Sequence, residues 1–237
     1  IVKKPPSCWN ILPMLRVIKD LEQLQNLQEF EIKSMKHYPI LAKIFRYPTQ
    51  ELDQHLHDII ELIKANYPSF TDIILQFRAA NNELNLAEQE EYFIRTFDVE
   101  AICCMDIGYV LFGEDYKRSD FLAKIQHEQN RTGNPTGSEL ADHLPNILTL
   151  LPLLEKEIAE ELAYALIIPA LQEIVKKFEG TKNYYKFAFQ LLLNVMEYDF
   201  QSLSYDQFKI RSEETTGISK EYACGGDFLN NLPKTKF

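Results

Sequence analysis

The sequence predicts an all-α protein, and two observations carry that prediction. Apolar residues recur at spacings of three and four along nearly every long segment, as expected for helices that bury one face. The clearest example is the stripe formed by Leu52, Leu56, Ile59, Ile60 and Ile63. No segment alternates apolar and polar residues in the two-residue period of a half-buried strand. Residues 102–110 could imitate a strand, but the helical segments around them disfavour an isolated one.

Residues that start or stop helices delimit the first predicted segments. Residues 49–67 begin at the candidate N-cap Thr49 and stop at Pro68. Ser69 or Thr71 is expected to cap the next helix. Residues 86–97 form another helix, with acidic residues near its start, where the helix dipole favours negative charge.

The second half of the chain is predicted to be helical with one clear loop. Residues 120–130 share an apolar face, and the glycine-containing residues 133–138 form the loop. Helices resume at about Asp142, with breaks or kinks near Pro152 and Pro169. The last strong helix spans residues 182–203, with a shared apolar face of Tyr185, Phe189, Leu192, Leu193 and Met196.

Three regions are expected from these patterns. Residues 37–204 form one helical-bundle domain. Residues 1–36 form an N-terminal helical extension, whose apolar residues between positions 9 and 30 lie near a coiled-coil spacing. That extension packs either on its own domain or on a partner. Residues 205–237 form a polar, irregular tail that is loosely docked or mobile.

Charge and glycine placement exclude several functional classes. The chain of 237 residues carries 35 acidic and 25 basic side chains, a net charge of −10. This charge disfavours nucleic-acid binding and suits a basic peptide partner, although it also serves as an ordinary solvated surface. No glycine precedes Gly108, so the first 107 residues hold neither a P-loop nor a dinucleotide-binding fingerprint. A G-x-S-x-G nucleophile motif is also missing from the sequence.

Cysteine and histidine spacing predicts neither a metal site nor a disulfide framework. No metal-ligand spacing links the four cysteines, Cys8, Cys103, Cys104 and Cys224. They are expected to be buried free thiols in a reducing compartment, which favours a cytoplasmic location. His55 and His57 point to different faces of one predicted helix, so they make a poor metal pair. The uncharged stretches are too short to span a bilayer, so no membrane insertion is expected.

The polar residues 138–145, directly after the loop, stand out as a candidate site. One interpretation is helix capping, in which Ser138 or Asp142 accepts free backbone N–H groups and Asp142 fixes a tautomer of His143. The other interpretation is functional: an Asp-His pair on a loop meets a basic or amide-rich ligand. A hydrolase using Asp142 and His143 is a further alternative, which a pair without nucleophile or metal disfavours.

Residues 139–145, Glu-Leu-Ala-Asp-His-Leu-Pro, resemble the Glu-x-Pro-Asp-His-Leu-Pro signature of the NarJ/TorD family of molybdoenzyme assembly chaperones. The NarJ-type branch, which serves nitrate reductases, is the nearest. Similar segments follow the family order: Ile-Phe-Arg-Tyr-Pro at 44–48, Tyr-Phe-Ile-Arg-Thr-Phe-Asp at 92–98, Gly-Glu at 113–114 with Arg118, residues 165–170, and Cys-Gly at 224–225. The family pattern has proline where this chain has Ala141, and Arg-Gly where it has Val99 and Glu100.

The resemblance implies a helical bundle of the TorD/NarJ type and a non-enzymatic function. Such a chaperone binds the N-terminal segment of the apo catalytic alpha subunit of a nitrate reductase-like or nitrite oxidoreductase-like molybdoenzyme. It holds that subunit until the molybdenum cofactor and an iron–sulfur cluster are installed, and it has no catalytic residue, metal or cofactor of its own. The residues implied to bind the partner are Glu139, Asp142, His143, Pro145, Phe97, Asp98 and Arg118.

Several of these assignments leave alternatives open. Phe97 is equally suited to the core, and Arg118 is first a surface ion-pair partner. His143 could make partner binding pH-dependent. A structural subunit retained in the mature enzyme is the alternative function, which the extension, the altered Arg-Gly positions and the tail would fit. A homodimer is also possible, formed by domain swapping about the loop at residues 133–138.

Overall fold

The computed structural model describes residues 35–99 and 101–210, and this part of the chain confirms the all-α prediction. It contains no strand, and residues 102–110 contribute only an isolated antiparallel bridge between Asp106 and His143. None of the helices in these two ranges is long and apolar enough to cross a membrane. Most of the predicted extension, residues 1–34, and of the tail, residues 211–237, lies outside the described residues, so the predicted region boundaries stay predictions.

The described residues form ten α-helices of four to seventeen residues, and short 3₁₀ or π-helical turns join several of them. They are α1 (Tyr38–Leu41), α2 (Leu52–Asn66), α3 (Thr71–Asn81), α4 (Leu86–Ile94), α5 (Ile107–Phe112), α6 (Tyr116–Thr132), α7 (Leu144–Leu150), α8 (Lys156–Glu161), α9 (Ile168–Lys177) and α10 (Tyr185–Asp199). The turns are 3₁₀ at Met35–His37, Ala42–Phe45, Pro68–Phe70 and Leu151–Leu153, and π-helical at Arg95–Val99 and Leu162–Ile167.

The apolar stripes predicted from the sequence form the core. All five stripe residues of α2 are buried, and so is the predicted face of α10. Helix α10 packs against α3 on one side and α9 on another, which places its aromatic residues at the centre. The Tyr185 ring lies edge-on to the rings of Phe77, Phe93 and Phe97, with centroids 4.9 to 5.9 Å apart. These contacts make α10 the central helix of the core.

Helix starts are the least well predicted feature. Helix α2 begins two residues later than expected, with Glu51 at the N-cap, while Thr49 accepts the Glu51 N–H through Oγ1 at 3.3 Å. The caps predicted at Ser69 or Thr71 are wrong, because Phe70 holds the N-cap position of α3 without a side-chain bond. The 3₁₀ turn at Pro68–Phe70 leads directly into α3 and leaves no separate capping residue.

The helix is irregular near Pro169, and the start of the tail binds to the carbonyl that this proline leaves free. The chain is π-helical at Leu162–Ile167, directly before α9, so the regular α-helix is interrupted close to Pro169, where a break or kink was predicted. Proline has no N–H to donate to the carbonyl four residues earlier, which is that of Ala165. The backbone N–H of Phe208 donates to this carbonyl at 2.9 Å, and the Phe208 ring lies 5.0 Å from that of Phe112. Residues 205–210 are therefore docked on the bundle.

A buried polar network ties the first described residues to the end of α10. The Asp199 carboxylate lies 2.8 Å from His37 Nε2 and accepts the hydroxyls of Tyr38 at 3.0 Å and Tyr67 at 2.9 Å. The Tyr67 hydroxyl also lies 3.2 Å from His37 Nε2. Because buried polar groups are costly without partners, this network fixes α1 against α2 and α10.

Replacing Tyr38 with phenylalanine should lower the free energy of unfolding by about 1 kcal/mol, because it removes one buried hydrogen bond to Asp199. Denaturant unfolding followed by circular dichroism measures the change. Tyr116→Phe is the matched control, because Tyr116 is 77% exposed and should change stability by less than about 0.5 kcal/mol. Equal effects of the two substitutions would contradict this account of the network.

The protein should lose stability above about pH 10, where tyrosines in an unfolded chain lose their protons. Burial raises the pKa of Tyr38, Tyr67, Tyr184 and Tyr185 above the ordinary value in the folded state. The unfolded chain therefore releases protons first, so stability is full below about pH 10 and falls as the pH rises further. Urea unfolding at a series of alkaline pH values tests this, and a flat profile would refute it.

Candidate partner-binding cavity

A cavity of about 550 Å³ opens between four segments that are far apart in the chain. The first is the end of the 3₁₀ turn at Ala42–Phe45 and the two residues after it. The second is the end of α4 with the π-helical turn that follows it. The third is the stretch before α5, and the fourth is the loop that enters α7. The lining residues from these segments are Phe45, Arg46, Tyr47, Phe93, Phe97, Asp98, Cys104, Met105, Asp106, Glu139, His143, Pro145 and Asn146.

The structure brings five of the seven predicted site residues to this cavity, which are Phe97, Asp98, Glu139, His143 and Pro145. Asp142 and Arg118 do not line it. The cavity therefore unites residues 97–98 with residues 139–145, although some forty residues of chain separate them. Their predicted role in binding a partner stays a prediction.

A π-helical turn places Phe97 and Asp98. The turn spans Arg95–Val99 and follows α4 directly, and the Thr96 hydroxyl donates to the carbonyl of Tyr92 at 2.7 Å. Phe97 is buried against Tyr185, so the alternative assignment of Phe97 to the core is confirmed, and the residue lines the cavity as well. Asp98 follows it and is exposed. This turn thus presents an aromatic wall and a carboxylate side by side.

Side-chain amides hold the loop that carries Glu139 and His143. Gln129 of α6 donates to the carbonyls of Ala141 at 3.0 Å and Asn146 at 3.1 Å. Asn146 of α7 donates to the carbonyls of Thr136 at 3.0 Å and Leu140 at 2.9 Å. The loop is thus tied to both helices that it connects, and opening it as a hinge would break these bonds. The predicted domain swap stays untested, and these bonds oppose it.

Asp142 has a different role from the one expected. Its side chain is fully buried, its Oδ2 accepts the Gly108 N–H at 3.0 Å, and its carbonyl accepts the Ile107 N–H at 3.0 Å. These N–H groups belong to the first turn of α5, so Asp142 caps a neighbouring helix and not the one that follows it. The N-cap of α7 is His143, without a side-chain bond. The interpretation that Asp142 accepts free backbone N–H groups is therefore confirmed, although the helix it caps is α5. A fully buried side chain cannot touch a partner, so Asp142 positions the loop.

Burial leaves the Asp142 carboxyl in an unusual electrostatic state. Desolvation raises its pKa, the nearby charge of Asp106 raises it further, and the bond from Gly108 opposes both effects. Its Oδ1 is the one buried side-chain oxygen or nitrogen in the described ranges without a hydrogen-bond partner. A protonated carboxyl is therefore favoured more at this position than at the surface.

The partner of His143 is Asp106, and the prediction that Asp142 fixes its tautomer is wrong. Nδ1 of His143 lies 3.0 Å from Oδ1 of Asp106, and both side chains are partly buried. The other carboxylate oxygen, Oδ2, lies 3.7 Å from Nη2 of Arg118. Arg118 also lies over the Tyr109 ring, 5.0 Å from its centre. The prediction that Arg118 is an ion-pair partner is confirmed.

Sequence reasoning missed Asp106 and Arg46 as site residues. Asp106 lies 37 positions before His143, so no local spacing connects them, and only the packing of α5 against the loop brings them together. Arg46 belongs to residues 44–48, a segment that resembles the family pattern and could have suggested a lining role. Tyr47 of the same segment is 48% exposed at the cavity.

The two described cysteines are free, as predicted, but only Cys103 is buried. Burial raises the pKa of Cys103 to about 12 and also raises that of Cys104, which lines the cavity. Both thiols therefore stay protonated near neutral pH, which makes them poor nucleophiles. Within residues 35–99 and 101–210, no three or more His, Cys, Asp or Glu side chains are grouped to hold a metal ion.

No protein-family model and no curated protein matches this chain. The resemblance to the NarJ/TorD family thus depends on short sequence motifs alone.

Gly108→Ala should lower the free energy of unfolding by about 1–3 kcal/mol, because the added methyl group overpacks the start of α5. The new carbon would lie 2.6 Å from Oδ2 of Asp142 and 2.9 Å from Cδ1 of Phe121. Thermal and denaturant unfolding measure the loss. Ser119→Ala, on the exposed side of α6, is the control and should be nearly neutral. A stable Gly108→Ala variant would mean that Asp142 does not approach α5 this closely.

Proposed function

We propose that this chain is a chaperone that binds the N-terminal segment of the apo catalytic subunit of a molybdoenzyme. The client would be an enzyme of the nitrate reductase or nitrite oxidoreductase type, held in the cytoplasm until its molybdenum cofactor is inserted. The observation that supports this proposal most is the convergence of residues 45–47, 97–98 and 139–145 on one cavity. These residues lie in three separate segments that resemble the family, and they are distant in the chain.

The walls of the cavity suit an extended or helical peptide with apolar anchors. Phe45, Phe93, Phe97 and Met105 provide buried apolar surface. Three exposed apolar residues belong to the same segments: Tyr47 lines the cavity, and Val99 and Leu140 directly follow the lining residues Asp98 and Glu139 in the chain. The volume of about 550 Å³ lies in the usual range for ligand pockets and would admit a few side chains at a time.

The charges of the cavity favour a basic segment. Asp98, Asp106 and Glu139 line it together with a single arginine, Arg46, and Asp106 is already balanced by Arg118. The whole chain adds a net charge of −10, which attracts a basic partner over longer distances. Complementary charge of this kind raises the association rate and the specificity of binding. Binding and release are the whole of the proposed activity.

An affinity pull-down of the full chain from its native organism, with molybdenum and iron measured in the co-eluting protein, tests the proposal. We expect a metal-poor catalytic subunit. The double variant Glu139→Gln with His143→Ala should recover at least tenfold less of it, since two polar contacts of about 1 kcal/mol or more are lost. Asp142 is left unchanged, because its carboxyl holds α5.

His57→Ala is the matched control for the pull-down, since His57 is an exposed histidine of α2 outside the cavity. It should recover as much client as the wild type. A metal-loaded enzyme at fixed stoichiometry would favour a retained structural subunit. Failure to recover any molybdoenzyme subunit would refute both functions.

A further inference from the structure

Asp106 joins the cavity histidine to an arginine on the next helix. Its Oδ1 lies 3.0 Å from Nδ1 of His143, and its Oδ2 lies 3.7 Å from Nη2 of Arg118. Asp106 comes directly before α5, and Arg118 is in the first turn of α6. Both oxygens of one carboxylate are therefore engaged, one by a ring nitrogen and the other by a guanidinium.

This arrangement determines which ring nitrogen of His143 carries the hydrogen. An ionised carboxylate can only accept, and the arginine beside Asp106 keeps its positive charge at all relevant pH values. Nδ1 must therefore donate to Asp106. A neutral imidazole with its hydrogen on Nδ1 has a lone pair on Nε2, so this second nitrogen is an acceptor.

Nε2 of His143 is open to the cavity. No hydrogen bond from Nε2 to another described residue exists, while Nδ1 has its bond to Asp106. Within the described ranges, the one buried side-chain nitrogen or oxygen without a hydrogen-bond partner is Oδ1 of Asp142. Nε2 of His143 has no partner either, so it must be accessible and not buried. Since His143 lines the cavity, an entering group can reach Nε2.

We infer that Arg118 and Asp106 are positioning residues that hold Nε2 of His143 as a hydrogen-bond acceptor in the cavity, and that the bound segment supplies a cationic N–H donor, an arginine or lysine side chain. This inference rests on the proposed function, because it specifies the chemistry of the segment that the cavity recognises. It also gives Arg118 an indirect role in place of the direct contact expected from the sequence.

The charges around His143 agree with a cationic donor. The carboxylates of Asp98 and Glu139 line the same cavity, and neither forms an ion pair with another described residue. Arg46 is the basic residue of the lining, so the cavity holds two carboxylates without an ion pair among the described residues and one arginine. A guanidinium or ammonium group placed here would find carboxylates as well as Nε2 to accept its hydrogens.

Acidification should weaken this recognition. A second proton on His143 would occupy Nε2 and turn the acceptor into a donor that repels a cation. Affinity should therefore be highest when the imidazole is neutral and should fall as the pH drops. Asp106 contacts the ring, and Arg118 and Asp142 are charged or titratable groups close to Asp106. Asp98, Glu139 and Arg46 line the same cavity as His143.

The tautomer can be measured directly on the full chain by long-range proton–nitrogen NMR of the histidine rings at mildly alkaline pH. The wild type should show the hydrogen of His143 on Nδ1. In Asp106→Asn, the neutral amide should let it move to Nε2. Asp120→Asn is the matched control, because Asp120 is exposed and pairs with Lys124, and it should leave the spectrum unchanged. A wild-type hydrogen on Nε2 would overturn the inference whatever the variants do.

The donor requirement is tested with a small probe, N-acetyl-leucyl-arginyl-leucinamide, and its counterpart with norleucine in the central position. The arginine peptide should shift the Nε2 signal of His143 and bind about tenfold more tightly than the norleucine peptide, since one charge-assisted hydrogen bond is at stake. That preference should shrink in Asp106→Asn and at lower pH. Equal binding of the two peptides, or an unmoved Nε2 signal, would overturn the inference.

These measurements separate the inference from the proposed function. If the tautomer and the arginine preference are as expected but the pull-down recovers no molybdoenzyme subunit, the client is wrong and the recognition chemistry stands. If the pull-down succeeds while the hydrogen lies on Nε2, the function stands and the positioning role of Asp106 and Arg118 is refuted.

Discussion

The candidate site depends on one buried contact, the capping of α5 by Asp142. The buried Asp142 side chain accepts the N–H of Gly108 in the first turn of α5. The backbone carbonyl of Asp142 accepts the N–H of Ile107. Only glycine at position 108 allows this approach, because a side-chain carbon would collide with Oδ2 of Asp142. The contact brings the start of α5 against the loop before α7, so Asp106 comes beside His143. One wall of the cavity follows from that juxtaposition.

The rest of the molecule stabilises this contact from several sides. Gln129 and Asn146 tie the loop to α6 and α7, so His143 has little freedom to move away from Asp106. Helix α10 supports the opposite wall through Tyr185, which packs on Phe97. The cavity is thus built on rigid elements, and a rigid site loses less conformational entropy when a partner binds. Binding and release by such a site would need no large rearrangement.

Local sequence patterns predicted the elements well, because helical periodicity and proline act within a few residues. The stripe of α2, the stop at Pro68 and the break at Pro169 were all found this way. Capping residues were predicted poorly. A serine or threonine near a helix start can accept a free backbone N–H, but a residue distant in the chain can accept it instead. At α5 the bond comes from Asp142, a residue 34 positions later than Gly108.

The sequence by itself determined an all-α chain, the buried faces of its helices and five of the thirteen residues that line the cavity. The helices and their buried faces were predictable because helical periodicity is a property of neighbouring residues. The five cavity residues came from the resemblance of short motifs to the NarJ/TorD family. Only the tertiary structure decided that Asp106, and not Asp142, is the partner of His143, and that Arg118 lies beside the other oxygen of Asp106. Those pairings join residues 12 and 37 positions apart, and no local pattern encodes which of two aspartates the packing of α5 will bury.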